Sequence, residues 1–279
     1  MLETALLALD RHRRDAQSVN SAVALARKLR VSLRMAYVVD EADLEVPIPE
    51  HFAGALTRRV IRGTQRELEL TGQARSELEA YASACEAAGV SHSAEVYVGE
   101  PKSIWVVEAR SCDLLMIPAA QTDFEGWKKR FSNLHWILAE RSKRPVLIFH
   151  PGECPENGIE FFYSNHRVSA RSLPWVALLQ RRLGGRLHVF TSKGSLWNHV
   201  WEAECRRFLD QHGVRSQFPA TSAMARLDER IGGMGAREPD GRPILILDGG
   251  FRKGSCLRKH RRLVRHLIRN SSHCIVLCA

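Results

Sequence analysis

The sequence predicts an α/β protein built as two tandem units, each with about five parallel strands flanked by helices. Three observations lead there. Strand-like apolar runs alternate along the chain with helical stretches of about 10–30 residues. The runs DLLMIP (113–118) and PVLIF (145–149) are continuous rather than alternating, as in parallel strands covered on both faces. The order of elements in residues 1–150 returns in 159–279 at an offset of about 130–154 residues, which marks an internal repeat.

The first unit begins with the strand TALLALD, ending at Asp10. From Asp15 to Leu29, apolar residues recur at Val19, Ala22, Val23, Leu25 and Ala26, with Arg27 and Lys28 near the end, where a helix dipole favours them. Val31–Asp40 is a second strand, and Asp40–Glu50 an acidic loop containing proline. Residues 55–88 read as a helix broken or kinked near Gly72 and stopped by Gly89. Ser93–Pro101 is a third strand ending in a turn, and Ser103–Arg110 a short helix. DLLMIPA is a buried strand, Asn133–Ser142 a helix, and RPVLIFH the closing strand.

Residues 151–158 lack periodicity and are rich in Pro, Gly and Glu, so they read as a linker. The second unit runs as strand IEFFYS, helix Pro174–Leu183, strand RLHVFTS, helix Leu196–His212, weak strand VRSQFPA, helix Ala223–Ile231, strand RPILILD, helix Leu257–Arg269 and strand SHCIVLC. The expected domains are therefore 1–150 and 159–279.

Composition narrows the function. Apolar residues make up 44 % and charged ones 26 %, so a packed core forms and disorder, collagen and low-complexity scaffolds are excluded. The apolar runs are far shorter than the ~20 residues a spanning helix needs. The opening MLETALLALDRHRRD has no basic n-region and no small-residue cleavage site, so no secretory leader is expected. Seven scattered cysteines without a CxxC read as reduced thiols in the cytoplasm. The net charge of +10 is uneven: residues 1–150 carry 20 basic and 20 acidic side chains, and residues 151–279 carry 21 and 11.

The motifs TALLALD, AYVVDE, AGV…EVYVGEP, DLLMIP and RPVLIF resemble, in that order, the strands and turns of the universal stress protein family in its tandem two-domain form. HWILAERSKRPV is similar to the Trp-containing helix of the E-type members. In the second unit the likeness rests on element order, RPILILD and HCIVLC. The resemblance implies Rossmann-like domains that pack face to face, a stress-response role without catalysis, and, in many members, ATP bound at the carboxyl ends of the strands. An E-type likeness also allows an apolar pocket between the domains.

Carried over residue by residue, Asp10, Val38, Gly99 and Pro101 keep the adenine and ribose side of that pocket, and Asn133 stands where a phosphate is bound. The family's phosphate loop has Gly-x-x-Gly and then Gly-Ser/Thr, which let backbone N–H groups approach the anion. Here the two glycines fall on Pro118 and Gln121, and the later pair on Ser132-Asn133. Proline has no N–H to donate. In the second unit the first-strand Asp falls on Ser164, the glycines on Asp248 and Phe251 beside Gly249-Gly250, and the later pair on Arg261-Arg262. Asp248 sets a negative charge where phosphate oxygens would lie. The expectation is a retained fold with degenerate nucleotide loops and no cofactor, with an ATP- or AMP-binding switch in the first unit as the alternative.

Arg258, Arg262, Arg265 and Arg269 recur at spacings of four, three and four, one stripe of a helix. The stripe is either a solvated face or a surface for an RNA or an anionic partner. No aromatics interleave with it, so nucleic acid is disfavoured. Cys256, His260, His266, His273 and Cys274 match no standard ligand spacing, so no metal is expected. No nucleophile elbow, Walker loop or HExxH appears, so no catalytic residue is assigned and the protein is not expected to be an enzyme. Six tryptophans fall mostly on predicted helices, with Trp197 and Trp201 four apart as core or interface residues. Expected partners are the two domains for each other, a second copy of the chain, or another protein.

Overall fold

The computed structural model describes residues 2–11, 16–44, 55–119, 134–152, 158–163, 167–191, 198–232, 243–248 and 274–278. β1 (Thr4–Asp10) is buried from Ala5 onward because it lies between two strands and under helices on both faces. α1 (Ala16–Leu29) buries Val19, Ala22, Val23, Leu25, Ala26 and Leu29 on one face. It ends where Arg30 turns left-handed at φ 53° and Val31 N–H closes onto the Ala26 carbonyl at 3.0 Å. β2 (Ser32–Val39) follows. Asp40 Oδ1 then accepts from Ala42 N–H at 3.0 Å and caps the short α2 (Glu41–Leu44).

α3 (Ala55–Ala87) is one unbroken helix. The break expected at Gly72 is absent: an interior glycine weakens a helix by only about 1 kcal/mol and does not remove its hydrogen bonds. β3 (His92–Val98), α4 (Pro101–Ala109), β4 (Leu114–Pro118), α5 (Leu134–Ser142) and β5 (Val146–Phe149) complete the first half. α4 starts at Pro101 rather than Ser103, since proline is favoured in a first turn.

The second half contains β6 (Gly158–Tyr163), α6 (Arg167–Leu183), β7 (Arg186–Thr191) and α7 (Asn198–Gln211). After them come β8 (Ser216–Gln217), α8 (Ala223–Gly232), β9 (Ile244–Asp248) and β10 (Ile275–Cys278). α6 begins at Arg167 and carries Pro174 inside it, against the expected start at Pro174. The weak strand predicted over VRSQFPA shortens to the two-residue β8. The segment 257–269 lies outside the described residues.

The ten described strands form one sheet in the order β3-β2-β1-β4-β5-β10-β9-β6-β7-β8. Within each half every pairing is parallel, and the two halves have the same strand order. The expected face-to-face packing is corrected by the register of β5 and β10. They pair antiparallel, Ile148 opposite Ile275 and Val146 opposite Leu277, so the halves join edge to edge. The physical reason is the open ladder that each half's last strand presents. Joining the two satisfies both rows of N–H and C=O groups.

One apolar layer, on the face of α1, α3, α6 and α7, runs through Leu7, Leu9, Tyr37, Phe161, Tyr163, Val176 and Leu209. The other, under α4, α5 and α8, holds Leu6, Ala8, Trp105, Leu138, Phe162 and Leu227. Both layers cross the junction. α6 packs on α1, Arg182 Nη2 donates to the Leu2 carbonyl at 3.4 Å, and Gly152 N–H to Ser21 Oγ at 2.8 Å.

Candidate functional site

In parallel sheets of this kind ligands sit at the carboxyl ends of the strands, near the switch point beside the first strand. The first half brings four predicted residues to that edge. Asp10 is the last residue of β1, 2 % exposed, and stands in register with Val38 of β2. Gly99 follows β3, and its N–H donates to the Val39 carbonyl at 3.0 Å. Its φ of +148° needs glycine, and a Cβ there would stand 3.0 Å from Ile104 Cδ1. Pro101 opens α4 and is buried. Asn133 lies outside the described residues, as do Gln121 and Ser132.

Pro118 is the last residue of β4, buried and in register with Phe149. The next peptide N–H, that of Ala119, donates to the Phe149 carbonyl at 2.7 Å. Two consecutive backbone positions at the start of the loop thus have no N–H to offer a ligand. One lacks it chemically and the other spends it on the ladder.

On the opposite face of the same edge a small cleft of about 180 Å³ is lined by Arg11, Tyr37, Val39, Asp43, Arg66, Leu70 and Gln73. Arg11 Nη1 pairs with Asp43 at 3.1 Å, and Arg66 with Glu69 at 3.7 Å.

The structure also shows two charge networks that the pattern reading missed. Arg34 of β2 reaches Glu108 of α4 at 2.6 Å, Tyr97 Oη of β3 at 3.0 Å, Ser111 Oγ at 3.0 Å and Glu95 at 3.4 Å. Tyr97 Oη donates to Glu95, which lowers that carboxyl's pKa. Burial, then the bond to Glu95, raises the Tyr97 phenol. Burial works against the Arg34 charge, but Glu108 and Tyr97 outweigh it, and its pKa lies above the usual value. This network ties the edge strand β3 to β2 and α4.

In the second half Glu160 of β6, 2 % exposed, accepts from Arg226 Nη2 at 2.8 Å and Nε at 3.2 Å. Arg226 also donates to Glu229 at 2.9 Å and lies 5.7 Å from the centroid of the Phe190 ring. Burial opposes the guanidinium charge, and the bonds to Glu160 and Glu229 more than offset it. A charged residue inside an otherwise apolar strand, as in SLRMAYVV and GIEFFY, was the available signal for both networks.

Ser164, Gly249, Gly250, Phe251 and Arg261 lie outside the described residues. So does the arginine stripe Arg258, Arg262, Arg265 and Arg269. Cys256, His260, His266 and His273 do too, whereas Cys274 is buried. Among the described residues no group of three or more His, Cys, Asp or Glu side chains is placed to hold a metal. No described helix is long and apolar enough to cross a membrane. Trp105 is fully buried, and Trp175 and Trp201 pack against the core. Trp127 and Trp197 lie outside the described residues.

No family model matches the chain, and no curated protein matches it. Solved structures do. A universal stress protein from Archaeoglobus fulgidus superposes with a TM-score of 0.69 at 17 % identity, over 98 % of this chain and 95 % of that one. The fold is that of the universal stress proteins. A structure described as a universal stress protein from Pseudomonas aeruginosa covers 99 % of this chain and 92 % of its own length, at 12 % identity and a TM-score of 0.51. The cytoplasmic domain of a prokaryotic cation chloride cotransporter matches at 12 % identity and a TM-score of 0.52, over 99 % of this chain and 94 % of that one. Asp10, Val38, Gly99 and Pro101 lie at one edge of the sheet, and Pro118 closes β4 at the same edge.

Proposed function

We propose that the protein is a non-catalytic binding protein of the universal stress type, working in the cytoplasm, with a degenerate nucleotide site. Its units are residues 1–150 and 159–279, joined by 151–158. The observation that carries this reading is the pair Pro118 and Ala119. A phosphate cradle is made of backbone N–H groups aimed at the anion. Here the first position has none, and the second donates to Phe149. These two positions offer a triphosphate no backbone N–H. The buried thiols of Cys85, Cys112 and Cys205 accord with a reducing compartment.

The test is thermal melting with and without nucleotide, together with mass spectrometry of whatever co-purifies. A ligand at 100 times its Kd stabilises by about 2.7 kcal/mol, so millimolar ATP at a working site gives a clear shift. The expected result is no shift with ATP and no bound nucleotide. The second reading, an ATP- or AMP-responsive switch, is favoured by the gathering of Asp10, Val38 and Gly99. It predicts protection by ATP and its loss in Asp10→Ala.

A further inference from the structure

The cleft against α3 is built apart from the edge that carries Asp10, Val38 and Gly99. Successive strand residues face opposite ways, so Val38 lies in one apolar layer and Tyr37 and Val39 in the other. Tyr37 and Val39 are 3 % and 4 % exposed and give the cleft an apolar floor. Arg66, Leu70 and Gln73, spaced four and three apart, share one flank of α3 and give it a wall. Leu70 is partly buried and packs against the core. Arg11 is brought in locally. Asp40 caps α2, and the Asp43 N–H donates to the Asp40 carbonyl at 2.8 Å. Asp43 then holds the Arg11 guanidinium at 3.1 Å, just beyond the end of β1.

Two guanidinium groups and one carboxylate thus line the cleft, an excess of positive charge. Charges beside an apolar floor act on one another more strongly than in open water, so the cleft favours an anion. Asp43 answers Arg11. The acid near Arg66 is Glu69, at 3.7 Å on the same helix and 51 % exposed. That distance exceeds a hydrogen bond, and an exposed pair of this kind is weak. The planar fork of Arg66 therefore gains from a stronger acceptor lying in the cleft. Gln73 adds a carboxamide that donates as well as accepts. The volume of about 180 Å³ is below the about 300–1,000 Å³ of sites for drug-sized ligands, so the ligand is small.

We propose that this cleft is a binding site for a small oxyanion, a carboxylate or a phosphate ester of a few carbon atoms. Its charged group is held by the Arg66 and Arg11 forks, and its carbon part lies on Leu70 and Val39. The site is independent of the loop that begins at Pro118, so it stands whether or not the nucleotide site is lost.

The probes are inorganic phosphate and acetate, each at about 20 mM and compared with chloride at equal pH and ionic strength. A site with a Kd of about 1 mM gives phosphate a rise in Tm of about 3 °C over chloride. Phosphate also stabilises by exclusion from the surface, and that part persists in every variant. The remainder is lost in Arg66→Gln and in Arg11→Gln, shrinks in Arg66→Lys, and is kept in Arg27→Gln, an exposed arginine outside the cleft. In spectra of the ¹⁵N-labelled parent chain both probes shift the amides of Arg66, Leu70 and Gln73, and the shifts saturate. Tighter saturation by acetate assigns a carboxylate ligand, and by phosphate a phosphate ester. Equal melting in phosphate and chloride, a rise that Arg66→Gln leaves whole, or saturable shifts confined to other residues overturns the proposal.

Discussion

Replacing Arg226 by methionine keeps an apolar stem near Phe190 and removes the guanidinium from Glu160. That carboxylate is 2 % exposed and loses two bonds, of 2.8 and 3.2 Å. Breaking a buried ion pair from one side costs about 3–5 kcal/mol, because a charge is left in a poor medium. The lower end applies, since Arg226 itself is 29 % exposed. Unfolding entropy near 2.1 cal/mol/K per residue over 279 residues converts about 3 kcal/mol to a drop in Tm of about 5 °C. The sign with pH follows from the same cause. Removing the guanidinium disfavours the charged carboxylate against its protonated form. The variant's deficit is therefore largest at neutral pH and shrinks as the pH falls toward about 4.3. Glu160→Leu/Arg226→Met removes both charges and recovers most of the loss. Scanning calorimetry at pH 7 and pH 5 on the two variants measures all of this. A single variant within about 1 °C of the parent, or a double variant no better than the single, would refute the view that burial of the Glu160 charge sets the cost.

Three further outcomes are expected. Pro118→Gly with Gln121→Gly restores two of the family's glycines, and ATP then raises the melting temperature where it did not before; equilibrium dialysis with ATP checks the binding directly. Gly158→Ala places a Cβ 2.1 Å from the Arg186 carbonyl oxygen at a backbone φ of +110°, so the first rung of the β6–β7 ladder must shift; strain of about 1–3 kcal/mol lowers Tm by about 2–5 °C. Burial pushes the Cys205 thiol up to about 12, so the folded chain keeps a proton that the unfolded chain sheds above about 8.5. Stability should therefore fall between pH 8.5 and 12 by up to about 1 kcal/mol per unit from this group, and urea titrations should show Cys205→Ala with a flatter alkaline limb.

The strands were legible because a parallel strand covered on both faces is written as an unbroken apolar run, as in LLMIP and VLIF. Helix ends were legible where glycine supplies the left-handed turn, as at Gly89 with φ +67°. Reading a break at Gly72 failed because a helix keeps its ladder through a solvent-facing glycine. The edge-to-edge join was not legible, since sequence pattern reports which face of a strand is apolar and says nothing of which edge finds a mate. Asp10 and Gly99 lie at the same edge of the sheet because each ends a strand whose register the hydrophobic pattern fixes. Ala119 could not have been found from sequence. Its contribution is a backbone N–H already given to Phe149, and every residue but proline carries one.

Antiparallel pairing of β5 with β10 reverses the direction of the second half relative to the first. The carboxyl ends of β1 and β2 therefore open toward one rim of the sheet, and those of β6 and β7 toward the opposite rim. The described strand ends of the two halves therefore share no rim. The two rims lie on opposite sides of one continuous sheet, so a substitution at the carboxyl ends of β1 and β2 is separated by the length of the strands from those of β6 and β7.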